Sequence, residues 1–591
     1  MVDALENAGN RIMNWMRTTN GMLLTVLVSL ALAMVAFMFH NPILQFPSDS
    51  QFGILSLIPA EYWLALILSF VLMAVNITNK KRYCFFIAMS IFIMLFINME
   101  SFFLHNPVGT TDAYGHYFNG INLANSSNLF FSNDPLATYP QLYFGSFIFT
   151  KILVVLLGVD LAATVPLLSI FRILMPFWFF TCMYLLFKKL MPLTKARIIM
   201  ILMIMSIPYF QFHYSPHAFG LIILPLLIYT IIVPARNIRN NFLLQLLLFS
   251  FLMFTHGPTT IYIALAYAFT AFMHYGLKST KTARTSLNTY MPVAIYFLIG
   301  MSILNPLFYN LIFSMFSNLG LQAVINCKVN IHGIGIFNSG IQQAGILGVE
   351  RLGGNFAMAE LMRLYVLGIF AFIASFGTFQ MFKKKEFTGL NLFILGGFLS
   401  TGILTIGNIL YPSLNMGDRS FLYLGFGSIL MLIYLLPDDI KNRLKGLGRI
   451  DKTKFMSALI ILIMLSPMIG SLAYHYNQAG YFQSPQDEER YSFTVGHVDS
   501  AYVYRYWDNQ VYINYIWERH APGKLIFLRL IDFNPDSPTL DSGGTFIVIS
   551  DSTCFMFKLE ERTEHFNEIL HYCDGDMNRV YSSPGNSVWY V

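Results

Sequence analysis

Few residues in this chain combine a reactive side chain with a placement that could use it. Asp112 and His116 stand four positions apart in 106–117, just after an apolar run. On a helix they would share one face, and a carboxylate beside a second titratable group is an arrangement for general-base work. The same residues also suit a plain helix start, with Thr111 or Asp112 capping a short helix over 113–123. Further along the loop, Asp134 precedes Pro135 and serves equally as a turn residue or a substrate contact. Two later turns are polar where nothing forces them to be: Phe212-His213-Tyr214-Ser215-Pro216-His217 and Phe254-Thr255-His256-Gly257-Pro258-Thr259. Histidines at such positions can bond helix carbonyls or sit at headgroup depth. Three in two turns on one face, His217 and His256 foremost, lean towards a shared polar site. Arg419, beside Asp418, and Arg351, beside Glu350, each pair with the neighbouring acid or hold a phosphate, which guanidinium binds bidentately.

The elements that must position these groups follow from composition. The 591 residues are 55% hydrophobic and 12% charged, with a mean hydropathy of +0.56. Soluble domains carry about 25% charged residues, so a soluble cytosolic enzyme is excluded. Apolar runs able to cross the ~30 Å hydrocarbon core lie near 21–39, 60–78, 84–103, 163–187, 198–213, 217–234, 242–256, 259–276, 290–316, 361–382, 388–411, 419–436 and 455–474. If these thirteen alternate, most Lys and Arg between them fall on one side. They include Arg17, Lys80-Lys81-Arg82, Lys188-Lys189, Lys195, Arg197, Lys383-Lys384-Lys385 and the cluster over 441–454. By the positive-inside rule that side is the cytoplasm, and these short basic connections are expected to be solvated or to face lipid headgroups. A further apolar stretch, 141–157, would invert every later cluster if it crossed, so it is expected to lie at the outer surface as an interfacial or re-entrant helix. Arg172, inside the fourth span, is expected to face the bundle interior.

The predicted organisation is an N-terminal segment with an extra hairpin of spans (1–83), a transmembrane body (84–474) with external loops 104–140 and 317–360, and a tail (475–591). The tail holds sixteen acids and eight Lys/Arg and no run long enough to span. Stretches 524–533 and 545–550 read as strands, 558–571 as a helix, and 579–590 as a hairpin turning at Pro584-Gly585-Asn586. The expected fold is therefore an all-α polytopic membrane protein of about thirteen helices with a small extracytoplasmic α/β domain. Cys554 and Cys573 could pair in an oxidising compartment. No C-x-x-C and no paired histidine spacing of the zinc type is present.

Several of these features together look like one family. The chain has an acid in the first external loop, Asp112. Then Tyr139-Pro140-Gln141-Leu142-Tyr143 opens an interfacial helix ending at Gly158-Val159, followed by a span ended by Lys188-Lys189. The turns Tyr214-Ser215-Pro216-His217 and Thr255-His256-Gly257-Pro258-Thr259, and the ending Asn578-Arg579-Val580-Tyr581 … Trp589-Tyr590-Val591, belong to the same pattern. It resembles the GT-C superfamily of polytopic glycosyltransferases that use polyprenyl-phosphate sugars, most of all its uncharacterised archaeal and bacterial members.

The resemblance implies a reaction. Asp112 would be the catalytic base, activating an acceptor hydroxyl for inverting attack on the sugar of a polyprenyl-phosphate donor. Arg419 would neutralise the departing lipid phosphate, with His217, His256 or Arg351 assisting and His116 and Asp134 lining the substrate site. The partners implied are that donor, a glycan, lipid or protein acceptor, and membrane lipid; no nucleic acid is expected. The first loop lacks the Asp-x-Asp or Glu-x-Asp of metal-dependent members, so a divalent metal is not required by the pattern. The expected location is the plasma membrane, with the N-terminus cytoplasmic and the tail outside. A transporter or flippase of a polar or lipid-linked substrate, and an inactive membrane scaffold, are the competing readings.

Overall fold

The computed structural model describes residues 11–40, 58–103, 144–157, 165–205, 212, 214–232, 238–276, 354–385, 387 and 389–410. It also describes Ala113, His116, Tyr423, Met431, Asn567 and five strands near the C-terminal end. Up to residue 431 the described chain is helical apart from short turns. The helices are α1 (Thr19–Phe39), α2 (Ala60–Val75), α3 (Arg82–Phe103), α4 (Phe144–Leu157), α5 (Val165–Leu190) and α6 (Leu193–Met205). There follow α7 (Pro216–Ile232), α8 (Ile238–Thr255), α9 (Gly257–Gly276), α10 (Gly354–Lys384) and α11 (Gly389–Leu410). Two of them, α1 and the Ile170–Leu190 part of α5, are long and apolar enough to cross a membrane. The apolar runs at 290–316 and 455–474 lie outside the described residues, as does most of 419–436.

One end of the bundle is organised by arginine. The last turn of α2 and the turn after it leave carbonyls with no partner inside the helix. Arg17 donates from Nε to the Val75 carbonyl at 3.1 Å. Arg197, the fifth residue of α6, donates from Nη1 to the carbonyls of Asn76 (2.9 Å), Ile77 (2.9 Å) and Asn79 (2.6 Å). Its Nε reaches the Tyr184 hydroxyl at 3.4 Å, and its guanidinium lies 5.2 Å from the centre of the Phe85 ring. Asn79 returns a bond to the Arg17 carbonyl, and Lys81 Nζ donates to Thr19 Oγ1. A cation at a helix C-terminus also opposes the negative end of the helix dipole. Three sequence-separated basic clusters, around Arg17, Lys81 and Arg197, therefore meet at this end.

Lys80, Lys81, Lys189 and Lys383-Lys384-Lys385 are exposed, as expected of solvated connections, but two cations depart from that expectation. Arg197 is fully enclosed and Lys195 is buried. Carbonyl oxygens at a helix end stabilise a buried guanidinium, so the cation turns inward although sequence position alone suggests a surface. Arg172 of α5 is buried, as expected for a cation inside an apolar helix.

Helix α3 runs antiparallel to α5: Phe85 and Phe86, at its start, meet Tyr184 and Phe177 in the second half of α5, with ring centres 5.6 and 5.8 Å apart. Between them α4 has fourteen residues. At about 1.5 Å per residue that is about 21 Å, short of the ~30 Å hydrocarbon core. The hairpin α1–α2 is packed onto α3: the Tyr62 hydroxyl donates to the Leu95 carbonyl, and Phe70 lies against Phe92. Helices α9 and α11 approach closely because Gly396 carries no side chain. A Cβ there would sit 2.5 Å from the Ala266 carbonyl oxygen and 2.7 Å from Thr270 Oγ1.

Near the C-terminal end, β1 (Val503–Arg505), β2 (Leu528–Leu530), β3 (Phe546–Ile549), β4 (Asn578–Ser583) and β5 (Asn586–Tyr590) form one sheet of order β2-β1-β3-β5-β4. Strand β1 pairs parallel with β2 and β3. Strand β5 pairs antiparallel with β3 and with β4, whose register shifts between Arg579 and Tyr581. Strands β2 and β3 fall inside the stretches read as strands, and β4–β5 falls on the expected hairpin. Of the expected helix 558–571 only Asn567 is among the described residues, and it is helical.

Candidate functional site

The end of the bundle away from the arginine cap holds the histidines. Helix α7 starts as the sequence Ser-Pro dictates: Ser215 is its N-cap, with Oγ accepting from the Ala218 N–H at 3.3 Å, and Pro216 follows at the first helical position. His217 is thereby fixed in the first turn. Helix α9 starts on His256, whose ring replaces the usual hydroxyl as N-cap: its Nδ1 accepts from the Thr259 N–H at 3.3 Å. Both histidines are buried, and their rings meet edge to face with centres 4.8 Å apart. Gly220 permits this approach, since a Cβ there would lie 3.0 Å from the His256 Cβ. The N-termini of two helices, each carrying partial positive charge, thus converge on one pair of imidazoles.

The hydrogen bonds fix a direction of donation. Because Nδ1 of His256 accepts the Thr259 amide, the neutral ring carries its proton on Nε2, an assignment made from the bonding pattern. Thr259 Oγ1, 2.7 Å from Nδ1, then donates to it. That leaves Oγ1 to accept from the Tyr423 hydroxyl at 2.6 Å. Tyr423 is held flat against Tyr262, with ring centres 4.3 Å apart and planes within 7°. The relay Tyr423–Thr259–His256 is buried throughout.

An aromatic lattice ties this pair to α4. Phe219, two residues after His217, packs edge-on against Phe149 of α4 (5.2 Å) and Tyr214 (5.6 Å), and Phe171 of α5 joins both. Helix α4 approaches the end of α8 at Gly145, where a Cβ would lie 2.9 Å from the Phe254 carbonyl oxygen. On α4, Phe147 receives the buried ring of His116 with centres 6.3 Å apart. Ala113, the residue after Asp112, is buried.

Of the residues singled out in the sequence, His217 and His256 are in contact, and His116 rests on the helix that abuts their turns. Asp112, Asp134, Arg351 and Arg419 lie outside the described residues. Tyr423 stands four positions after Arg419 in the sequence. Sequence reading did not single out Thr259 as a relay member or Tyr423 at all. The His-x-x-Thr spacing at the start of α9 is a signal for the first, since it is the spacing of an N-cap and its third helical residue. Nothing local signals the second. Among the described residues, no three His, Cys, Asp or Glu side chains gather closely enough to hold a metal ion. Cys84 is buried and Cys182 half-buried, both as free thiols. No family model and no curated protein matches the chain.

Proposed function

We propose that the protein is a polytopic membrane glycosyltransferase of the GT-C kind. It transfers a sugar from a polyprenyl-phosphate donor to a glycan, lipid or protein acceptor on the outer face of the plasma membrane. The observation that carries this reading is the buried His217–His256 pair at two converging helix N-termini, the electrostatic environment that suits a departing phosphate. It stands at the end of the bundle opposite the arginine-rich one, which the positive-inside rule makes cytoplasmic. In this reading α4 makes no complete crossing, in keeping with the antiparallel run of α3 and α5. Thirteen spans then leave the tail and its sheet outside.

Asp112 acts as base. It takes the proton of an acceptor hydroxyl, the oxygen attacks the anomeric carbon with inversion, and the electron pair of the broken bond leaves on the lipid phosphate. Arg419, with His217 and His256, stabilises that phosphate. The sequence neighbours of both charged groups support the assembly: His116 reaches Phe147 of α4, and Tyr423 reaches His256 through Thr259.

The test is sugar transfer from a polyprenyl-phosphate sugar by the purified full-length protein. Asp112→Asn is expected to abolish turnover. His256→Asn keeps an N-cap acceptor for α9, so it is expected to fold normally yet lose transfer. Full activity in His256→Asn would reduce that histidine to a helix cap, and activity in Asp112→Asn would end the base assignment. One observation favours a transporter instead, the buried Arg172 inside α5. That reading requires substrate movement across sealed vesicles that Arg172→Gln stops.

A further inference from the structure

The groove between α5 and α7 lies at the arginine-capped end and encloses a cavity of about 430 Å³. That is within the ~300–1,000 Å³ of small-molecule sites. Its floor is apolar: Cys182 and Leu185 from α5, Pro225 and Leu226 from α7. The α5 residues recur at helical spacing along one face, and that face continues into Lys188 and Lys189 in the last turn of α5. Lys188 is half-buried and Lys189 exposed, and both line the cavity. Tyr229, 42% exposed, completes the rim from α7. Pro225 sits inside α7, where it removes one helix hydrogen bond and leaves that wall irregular.

An apolar slot that opens under two lysines and a tyrosine, at headgroup depth on the basic side, matches one molecule end to end. We propose that this groove binds an anionic phospholipid of the cytoplasmic leaflet. Its phosphate is held by Lys188 and Lys189, and the first part of an acyl chain lies over Leu185, Pro225 and Leu226. The site is separate from the donor site, which faces the other leaflet, and it rests on the membrane orientation given above but not on sugar transfer. Charge complementarity selects the occupant: a zwitterionic lipid offers the same chain but carries its own cation.

Cys182 supplies a direct reporter, because it lines the slot and its thiol is free. The full-length protein in detergent is alkylated with N-ethylmaleimide, and modification of Cys182 is followed by peptide mass spectrometry. Phosphatidylglycerol is expected to slow the reaction about tenfold at roughly ten times its dissociation constant, since only the empty fraction reacts. Phosphatidylcholine at the same concentration and inorganic phosphate alone should leave the rate unchanged. Lys188→Gln/Lys189→Gln, which alters only the rim, should abolish the protection. Leu226→Trp, which fills the slot and keeps both lysines, should give a slow rate that lipid no longer changes. Equal protection by phosphatidylcholine overturns the proposal, as does protection by inorganic phosphate or protection that survives in the double variant. Full exposure of Cys182 at saturating phosphatidylglycerol overturns it too.

Discussion

Replacing Arg197 with Met should loosen the end of α2 and the turn after it. The arginine reaches three carbonyl oxygens at 2.6–2.9 Å with the two hydrogens of one nitrogen. Those acceptors close the C-terminal end of α2, and Asn76 there is fully buried. Methionine is of similar size but donates nothing, so the Ile77 and Asn79 carbonyls lose their arginine donor and Asn76 keeps only the Asn79 amide. Removing one side of a buried charged contact costs about 3–5 kcal/mol, of the size expected for two charge-assisted bonds of ~1.5–3 kcal/mol each. The loss should appear first where the bonds are, in the amides of Asn76, Ile77 and Asn79, which close the turn after α2. Hydrogen exchange across 72–83 reads their opening. At about 1.4 kcal/mol per decade, 3 kcal/mol corresponds to roughly 150-fold faster exchange. Arg197→Lys keeps a charged donor but loses the Tyr184 contact and the flat face over Phe85, so it should cost only ~1–2 kcal/mol. Exchange in Arg197→Met within about threefold of the parent, a difference under ~1 kcal/mol, would refute the cap as the element that holds the end of α2.

Gly396→Ala should destabilise the α9–α11 contact by ~1–3 kcal/mol, because the new methyl meets a carbonyl oxygen and a threonine that cannot both retreat. Gly402→Ala, on the same helix with nothing within 4 Å, should melt at or above the parent temperature, gaining up to ~1 kcal/mol of helix propensity; equal melting of the two variants in detergent would contradict the close approach. Tyr423→Phe removes the donor to Thr259 while keeping the stack on Tyr262, so it should cost about 1 kcal/mol, with a coupling of ~0.5–3 kcal/mol to Thr259→Val in a double-mutant cycle. Additive losses would show that the two hydroxyls do not communicate.

The described helices were legible because each lies on or beside an apolar run, and the start of α7 was written out as Ser215-Pro216. The meeting of His217 and His256 was legible as two polar turns on one expected face. The relay was not: Tyr423 lies 164 residues from Thr259, and no local pattern marks a tyrosine in an apolar run as a hydrogen-bond donor. Arg197 was misread for a related reason. A sequence shows a cation near the end of a span, but not the carbonyls of a helix 118–121 residues earlier that draw it inward. In the tail, alternation and turn residues indicated β3 and the β4–β5 hairpin. The three-residue β1, paired in parallel on both sides, carries too short a pattern to find.

The cap on α2 also sets a timetable for biogenesis. The carbonyl of Ile77 is made 120 residues before the arginine that bonds it. At ~5–20 residues per second of synthesis, that interval is roughly 6–24 s. During it the first two helices can pair, yet the carbonyls at the end of α2 must rely on other donors such as water for the bonds Arg197 later makes. The emergence of α6 then supplies the guanidinium that closes the end of α2. A truncation just before Leu193 would leave that end permanently in its provisional state.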